Sequence, residues 1–491
     1  MKQAKPRAEE RRPRNRRGAV THTRLLLTVA VVFATAVCNF FSQIAAAQDH
    51  VLVLSGGTLI DGTGKNPVKD AVVLIRGNRI EKAGGRREVQ IPQGAVVVDT
   101  SNQFILPGLI ESHFHYAGWM PGELWLSFGI TSAVNYGKAI SQAAPPETLR
   151  WPRIFYAGEQ IAAPEPMTDL GKVLETGNYT RPEQAHDLVQ ERKESGATFL
   201  KISENLSAEL IAALTKEAHL AGLPVIGHQV NARDAVLAGL DGVEHMTGLA
   251  LAAVKDREIL RSMAEVSRTK GPSQAPISHP ISDPEYYMEM PLARDILKLM
   301  VQRNVFMNPT LVTRWQRVEP RTEEFARQYK KMSEDPYWSS IPENVRKSWN
   351  NTLIPYPEWP DAEHKQQEQT GYKKAQQLLR EFVQMGGKIF SGTDVAGASV
   401  PGLRLHQEFQ LLVDAGLTPM QVILTATRYP AEVLRLDKDL GTVQSGKLAD
   451  LVVVDADPFQ EIRNLSHIRH VILDGKVVPL KFHPEGILVK P

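Results

Sequence analysis

One cysteine occurs in 491 residues, Cys38, and it lies within a stretch that carries no charge. A chain that loses this stretch keeps no thiol, which excludes disulfides, a cysteine nucleophile and a Cys-rich zinc site. Charge is absent between Arg24 and Asp49, whereas residues 2–24 hold nine Lys or Arg against only Glu9 and Glu10. The formal net charge of +2 therefore conceals a mildly acidic body of about −5, which gives no reason to expect a nucleic-acid partner. Internal repeats are lacking, as are low-complexity tracts beyond the basic N-terminus.

Leu25 to Phe41 forms an apolar core, and Ala45-Ala46-Ala47 before Gln48 offers the small residues at which export signals are cut. Residues 1–47 are expected to be a signal peptide, so that the protein is exported to the periplasm or secreted. The alternative is an uncleaved anchor, since the uncharged stretch approaches a membrane-spanning length.

From His50 the pattern changes to short strands parted by Gly-rich turns: Val51–Leu54, Ala71–Ile75 and Ala95–Val98. The C-terminus has the same character at Leu451–Val454 and Val471–Val478. Residues 48–104 and 437–491 are expected to form one composite β-sandwich. Between them, 105–436 alternates apolar strands with helical stretches. The strands are expected at 105–113, 129–135, 152–157, 198–202, 224–228, 242–245, 305–311 and 388–393, and eight is the number a (β/α)8 TIM barrel requires. Ser207 is the expected N-cap of a helix over Ala208–Ala221. Thr313–Tyr372, rich in Trp, Pro and charge, reads as a helical insertion or as a lid over the barrel mouth.

Barrel enzymes place their chemistry where strands run into the following loops. Strand one ends in His113 and His115, whose i, i+2 spacing puts both imidazoles on one face of a strand. Strand four carries Lys201 inside an apolar run. Strands five and six end in His228 and His245, and strand eight ends in Asp394. Histidines with a carboxylate suit Zn²⁺ or Mn²⁺, and a buried lysine loses its proton readily. Carbamylated by CO₂, Lys201 would bridge two cations, one held by His113, His115 and Asp394, the other by His228 and His245. A hydroxide bridging the metals would be the nucleophile, and Asp394 would pass its proton to the leaving group. Arg314, Arg404 and His406 are candidates to contact substrate, with surface charge or a helix-start role as the plainer alternatives.

Further motifs extend the pattern. Gly57-Thr58-Leu59-Ile60-Asp61-Gly62-Thr63-Gly64 and Gly77-Asn78-Arg79-Ile80 open it, Ala415-Gly416-Leu417-Thr418-Pro419 and Ala426-Thr427 follow, and Gly441-Thr442-Val443 through Gly446-Lys447-Leu448-Ala449-Asp450 closes it. Over about residues 50–480 the chain resembles the amidohydrolase superfamily, nearest its imidazolonepropionase-like branch, which includes Xaa-Pro dipeptidases. The resemblance implies a barrel-plus-sandwich fold, a binuclear centre of two divalent ions, Zn²⁺ first with Mn²⁺, Fe²⁺ or Co²⁺ as alternatives, and a carbamate on Lys201. It places the ligands on His113, His115, Lys201, His228, His245 and Asp394. Dipeptidase-like relatives often carry a tyrosine two residues after the strand-five histidine, where this chain has Val230.

The expected activity is hydrolysis of an amide, peptide or cyclic-amide C–N bond in a small molecule such as a dipeptide or N-acyl amino acid. An esterase, lactonase or organophosphate hydrolase would use the same site. A non-catalytic binding protein on a degenerate barrel is the third reading. A membrane is a partner only if the N-terminal segment is retained, and oligomeric state is not legible.

Overall fold

A computed structural model describes residues 51–116, 122–137, 151–161, 181–203, 206–228, 231–270, 283–317, 321–352, 361–395 and 400–488. The expected signal segment and Val230 lie outside the described residues. In chain order the strands are β1 (Val51–Leu59), β2 (Val68–Arg76), β3 (Arg79–Gly85), β4 (Val96–Asp99) and β5 (Phe104–Pro107). They are followed by β6 (Leu109–Phe114), β7 (Ile130–Asn135), β8 (Arg153–Tyr156), β9 (Leu200–Ile202), β10 (Val225–Gly227), β11 (Gly242–Glu244) and β12 (Phe306–Asn308). The last three are β13 (Leu451–Val454), β14 (Ile468–Leu473) and β15 (Lys476–Val478).

Strands from both chain ends share one sheet, ordered β15-β14-β13-β5-β1-β2-β3, with β4 also paired to β1. The join is antiparallel: Leu451 faces Pro107 and Val453 faces Ile105. Leu54, Val73, Ile75, Ile80, Ile105, Leu451, Val453 and Ile472 make its buried core. The two segments expected to form one β domain thus share one hydrogen-bonded sheet.

The middle of the chain builds two parallel sheets, β6-β7-β8 and β12-β11-β10-β9. The strand expected over 105–113 divides at Gly108. Its N–H donates to Asp450 O in the terminal sheet (2.8 Å), and a Cβ there would lie 2.0 Å from Thr131 Oγ1. Only glycine lets the chain pass so closely from one sheet to the other.

The strand expected over 388–393 forms no ladder of its own. Phe390 N donates to Met307 O and Met307 N to Lys388 O. Beyond that point the backbone donors go elsewhere: Ser391 N to Thr425 O, Gly392 N to Asn308 Oδ1 and Thr393 N to Glu111 Oε1. Single parallel bridges, Met307–Ile389 and Phe114–Val395, still tie the segment to β12 on one side and β6 on the other. A third bridge, Ile161–Ile202, joins the residues after β8 to β9.

Alternation along the strands sorts the side chains, since successive residues face opposite ways. Ile110, Val134, Phe199, Ile226, Phe306 and Phe390 meet in one buried cluster. Their neighbours Leu109, Ala133, Leu200, Val225, Met307 and Ile389 join the larger cluster that includes the helices. The helix Ala208–Leu220 is capped as expected, Ser207 Oγ accepting from Leu210 N, and it buries Leu210, Ile211, Leu214 and Ala218. The segment after β12 is helical at Arg321–Glu334 and Glu343–Thr352, and it buries Phe325, Tyr329, Trp338 and Trp349. Such aromatic anchoring makes it part of the packed body. Among the described residues no helix is long and apolar enough to cross a membrane.

Candidate metal centre

His113 ends β6 and is buried, while His115 lies just beyond the strand and is half exposed. Between Glu111 and Phe114 the ladder to β7 slips register, an irregularity of the kind that re-aims side chains beside a site. The two imidazoles converge, with Nε2 to Nε2 at 3.2 Å. Asp394 Oδ1 completes a triangle, 3.4 Å from His113 Nε2 and 3.2 Å from His115 Nε2.

These spacings can be set against a cation's needs. Tetrahedral Zn²⁺ with bonds of about 2.0–2.1 Å requires donor–donor edges of about 3.3 Å. The three observed edges match it, and the donors are the nitrogens and oxygen such an ion prefers. The residues fit a divalent cation.

Lys201, from β9, is buried, with Nζ 4.5 Å from the centroid of the Tyr136 ring. That ring stacks on His113, with centroids 3.8 Å apart. His245 follows β11 with its ring 5.5 Å from that of His113, and His228 follows β10 with its ring 5.6 Å from that of His245. Burial, and then the charge of Lys201, push the His228 pKa down to about 2, and burial beside His113 pushes His245 down to about 4. Both rings are therefore neutral at pH 7, the form that ligates a metal. For Asp394, burial opposes ionisation, but the imidazoles of His113, His115 and His245 hold it well below the ordinary carboxylate range.

The structure thus brings all six residues of the expected ligand set into one region, and the first trio into ligand spacing. The second trio by spacing is His113, Glu244 and His245; His228 joins neither group. Of the expected substrate contacts, half-buried Arg314 pairs with the buried carboxylates of Asp283, Glu285 and Glu368 at 2.9–3.1 Å. Arg404 Nη2 donates to Val312 O (3.0 Å), and buried His406 Nε2 donates to Phe128 O (2.9 Å). All three are held by packing partners.

Several site residues escape sequence reasoning. Glu111 accepts from His113 N, Thr393 N and Thr393 Oγ1, tying the backbone at His113 to the residue before Asp394. Burial pushes its pKa up to about 8 against those three hydrogen bonds. Glu244 Oε2 accepts from His113 Nδ1 (2.7 Å) and Asn308 Nδ2 (2.9 Å), and Oε1 accepts from the Tyr136 hydroxyl. Burial favours protonation of Glu244, but its interaction with His113, including the hydrogen bond, and the charge of Lys201 bring it down to about 2. Thr310 Oγ1 lies 2.6 Å from His245 Nδ1. A signal existed for the two glutamates, because a carboxylate inside an apolar strand is costly unless partnered. None existed for Tyr136, Asn308 or Thr310.

Three strand-end residues have left-handed backbone: Asp394 (φ 50°), His245 (φ 61°) and Thr310 (φ 45°). For β-branched Thr310 this is a strained conformation, of order 1–3 kcal/mol, of the kind that clusters at functional sites.

The architecture is parallel α/β, with histidines and a carboxylate at its strand ends that could hold a metal ion. Residues 104–478 match the model of the amidohydrolase family, and the chain belongs to that family. It is similar to a dihydroorotase from Anaeromyxobacter sp. (strain K), at 28% identity over 240 residues, 46% of this chain and 53% of that protein. The chain thus spans about half the length of the curated relatives it matches. An imidazolonepropionase of Brevibacillus brevis (strain 47) is 27% identical over 103 residues, 20% of this chain and 24% of that protein. Among solved structures, a Xaa-Pro dipeptidase with bound methionine aligns with a TM-score of 0.58 at 21% identity, covering 87% of this chain and 99% of that one. At this identity the likeness concerns the fold.

Proposed function

We propose that the protein is a metal-dependent hydrolase that cleaves an amide, peptide or cyclic-amide C–N bond in a small molecule. The observation that carries the reading is the triangle of His113 Nε2, His115 Nε2 and Asp394 Oδ1, with edges of 3.2–3.4 Å. A divalent cation held there, when bound, polarises a carbonyl and lowers the pKa of water towards neutrality. His113 and His115 would hold the ion. Asp394, ionised and partly open to solvent, accepts the proton of the attacking water and returns it to the departing nitrogen. His228 and His245 would hold a second cation, and Lys201, if carbamylated, would supply an anionic ligand beside them. Carbamylation would join the neutral amine of Lys201 to CO₂ with release of one proton; counted from the ammonium form two protons leave, and a buried cation is replaced by an anion.

The same reading takes the two parallel sheets and the 388–395 segment as one (β/α)8 barrel. The six strand side chains that meet in one interior cluster support closure. The barrel, residues 105–436 with an insertion near 313–372, is set into the β domain of 48–104 and 437–491. Residues 1–47 are proposed as a cleaved export signal, which sequencing the N-terminus of the mature protein tests.

Elemental analysis of the purified protein, together with a panel of dipeptides, N-acyl amino acids, cyclic amides, esters, lactones and phosphotriesters, tests the activity. About two metals per chain with C–N cleavage are expected. Turnover of the esters, lactones or phosphotriesters alone would replace the proposed bond type. Metal occupancy without turnover of any substrate would favour a binding protein.

A further inference from the structure

One carboxylate sits where four strand ends meet. Glu244 closes β11 with its side chain fully buried, His113 and Asn308 come from the ends of β6 and β12, and Tyr136 follows β7. The three residues donate to it through Nδ1, Nδ2 and the phenol. Asn308 then uses its remaining amide atom, Oδ1, to accept from Gly392 N at 3.0 Å, which draws in the 388–395 segment as a fifth element. Asn308 O also accepts from His245 N at 2.7 Å.

The polarity of this network is determined throughout. The backbone N–H of Gly392 can only donate, so Asn308 must turn its amide oxygen to Gly392 and its NH₂ to Glu244 Oε2, which is thereby an acceptor. Tyr136 must donate its hydroxyl proton. His113 must carry its proton on Nδ1. Its Nε2 then bears a lone pair, and this is the atom that lies 3.2 Å from His115 Nε2 and 3.4 Å from Asp394 Oδ1.

We infer that Glu244 is a positioning residue, which locks His113 in the tautomer that turns the Nε2 lone pair towards His115 and Asp394. Through Asn308 and Tyr136 it also holds the strand ends around the site in register. Its consequence for metal binding rests on the metal-centre reading above; the tautomer it imposes does not. Carboxylates behind ligating histidines typically contribute 10–100-fold to metal affinity.

The test has two parts. In metal-free wild-type protein labelled with ¹⁵N-histidine, the ring nitrogen shifts of His113, identified by their loss in His113→Gln, are expected to show the Nδ1–H form. Glu244→Met, which removes the acceptor, is expected to shift His113 away from that form and to weaken Zn²⁺ binding by about 10–100-fold in a chelator competition. Glu244→Gln keeps an accepting oxygen and should recover most of both. Tyr136→Phe removes one donor only and should weaken binding less than Glu244→Met. An Nε2–H tautomer of His113 in the wild type overturns the inference whether or not any variant folds. So does Glu244→Met with unchanged tautomer and Zn²⁺ affinity within twofold of wild type. A wild-type protein that takes up no metal while His113 shows the Nδ1–H form would overturn the metal-centre reading and leave the tautomer assignment standing.

Discussion

His113 Nε2 and Asp394 Oδ1 lie 3.4 Å apart, although one stands near the end of β6 and the other in the 388–395 segment. Their roles separate by substitution. His113→Ala removes a ligand and should lower metal affinity by more than about 100-fold, since even a partner behind a ligand contributes 10–100-fold. Asp394→Asn keeps an oxygen but cannot take up a proton. It should retain more metal and lose about 10²–10⁴ in kcat. Metal content measured beside kcat separates the two effects.

Metal removal should lower stability as well as activity. A ligand at 100 times its Kd stabilises the folded state by about 2.7 kcal/mol. Dialysis against a chelator is therefore expected to lower Tm by several degrees, with recovery on adding Zn²⁺ or Mn²⁺. An unchanged Tm after verified metal loss would show that the strand ends are held without the ion.

Glu408 provides a pH test away from the ligands. Its buried carboxylate accepts from Leu311 N (3.0 Å) and Val312 N (2.6 Å), with Arg404 and Tyr372 as its charged or titratable neighbours. Burial pushes its pKa up to about 7 from an ordinary 4.5. A raised carboxylate pKa means that the folded state keeps a proton which the unfolded chain releases. Its contribution is thus fully present below pH 4.5 and is lost as pH rises through about 7. The urea midpoint of wild type minus that of Glu408→Gln should fall across this window. A flat difference would place the carboxylate nearer its ordinary pKa.

Arg314 distinguishes a structural cation from a substrate contact. Its guanidinium pairs with the buried carboxylates of Asp283, Glu285 and Glu368. Arg314→Ala leaves three buried carboxylates short of their cation and should cost about 3–5 kcal/mol, read as a fall in Tm. A raised KM at unchanged Tm would instead restore the role in substrate binding expected from sequence.

Gly392 permits a close approach. A Cβ there would lie 2.5 Å from His113 Cβ and 2.6 Å from Asn308 Nδ2. Gly392→Ala must push His113 or the 388–395 segment aside, at about 1–3 kcal/mol. Weakened metal binding is expected with it, and calorimetry beside chelator competition reads both.

Periodicity and composition were sufficient for the parts of the fold whose information is local. Alternation of apolar strands with helices located seven of the expected strands, because burial on a sheet face repeats with period two along the chain itself. Ser207 was legible as a cap because its bond to Leu210 N closes within one turn. The eighth expected strand is held by single bridges and not by a ladder, for a physical reason: Gly392 and Thr393 give their N–H groups to the side chains of Asn308 and Glu111, partners that no local pattern displays.

The site divides in the same way. The sequence alone determined which residue types stand at the strand ends: His113 and His115 at spacing two, Lys201, His228, His245 and Asp394. Those types follow from metal-ligand chemistry, which a sequence can display. Only the tertiary structure decided that His113, His115 and Asp394 converge within 3.4 Å, and that Arg314 is occupied by three carboxylates. It also decided that Glu244, Glu111, Asn308 and Tyr136 stand behind the ligands. Hydrogen bonds between distant strands depend on how the strands are brought side by side, and that arrangement exists only once the chain has folded.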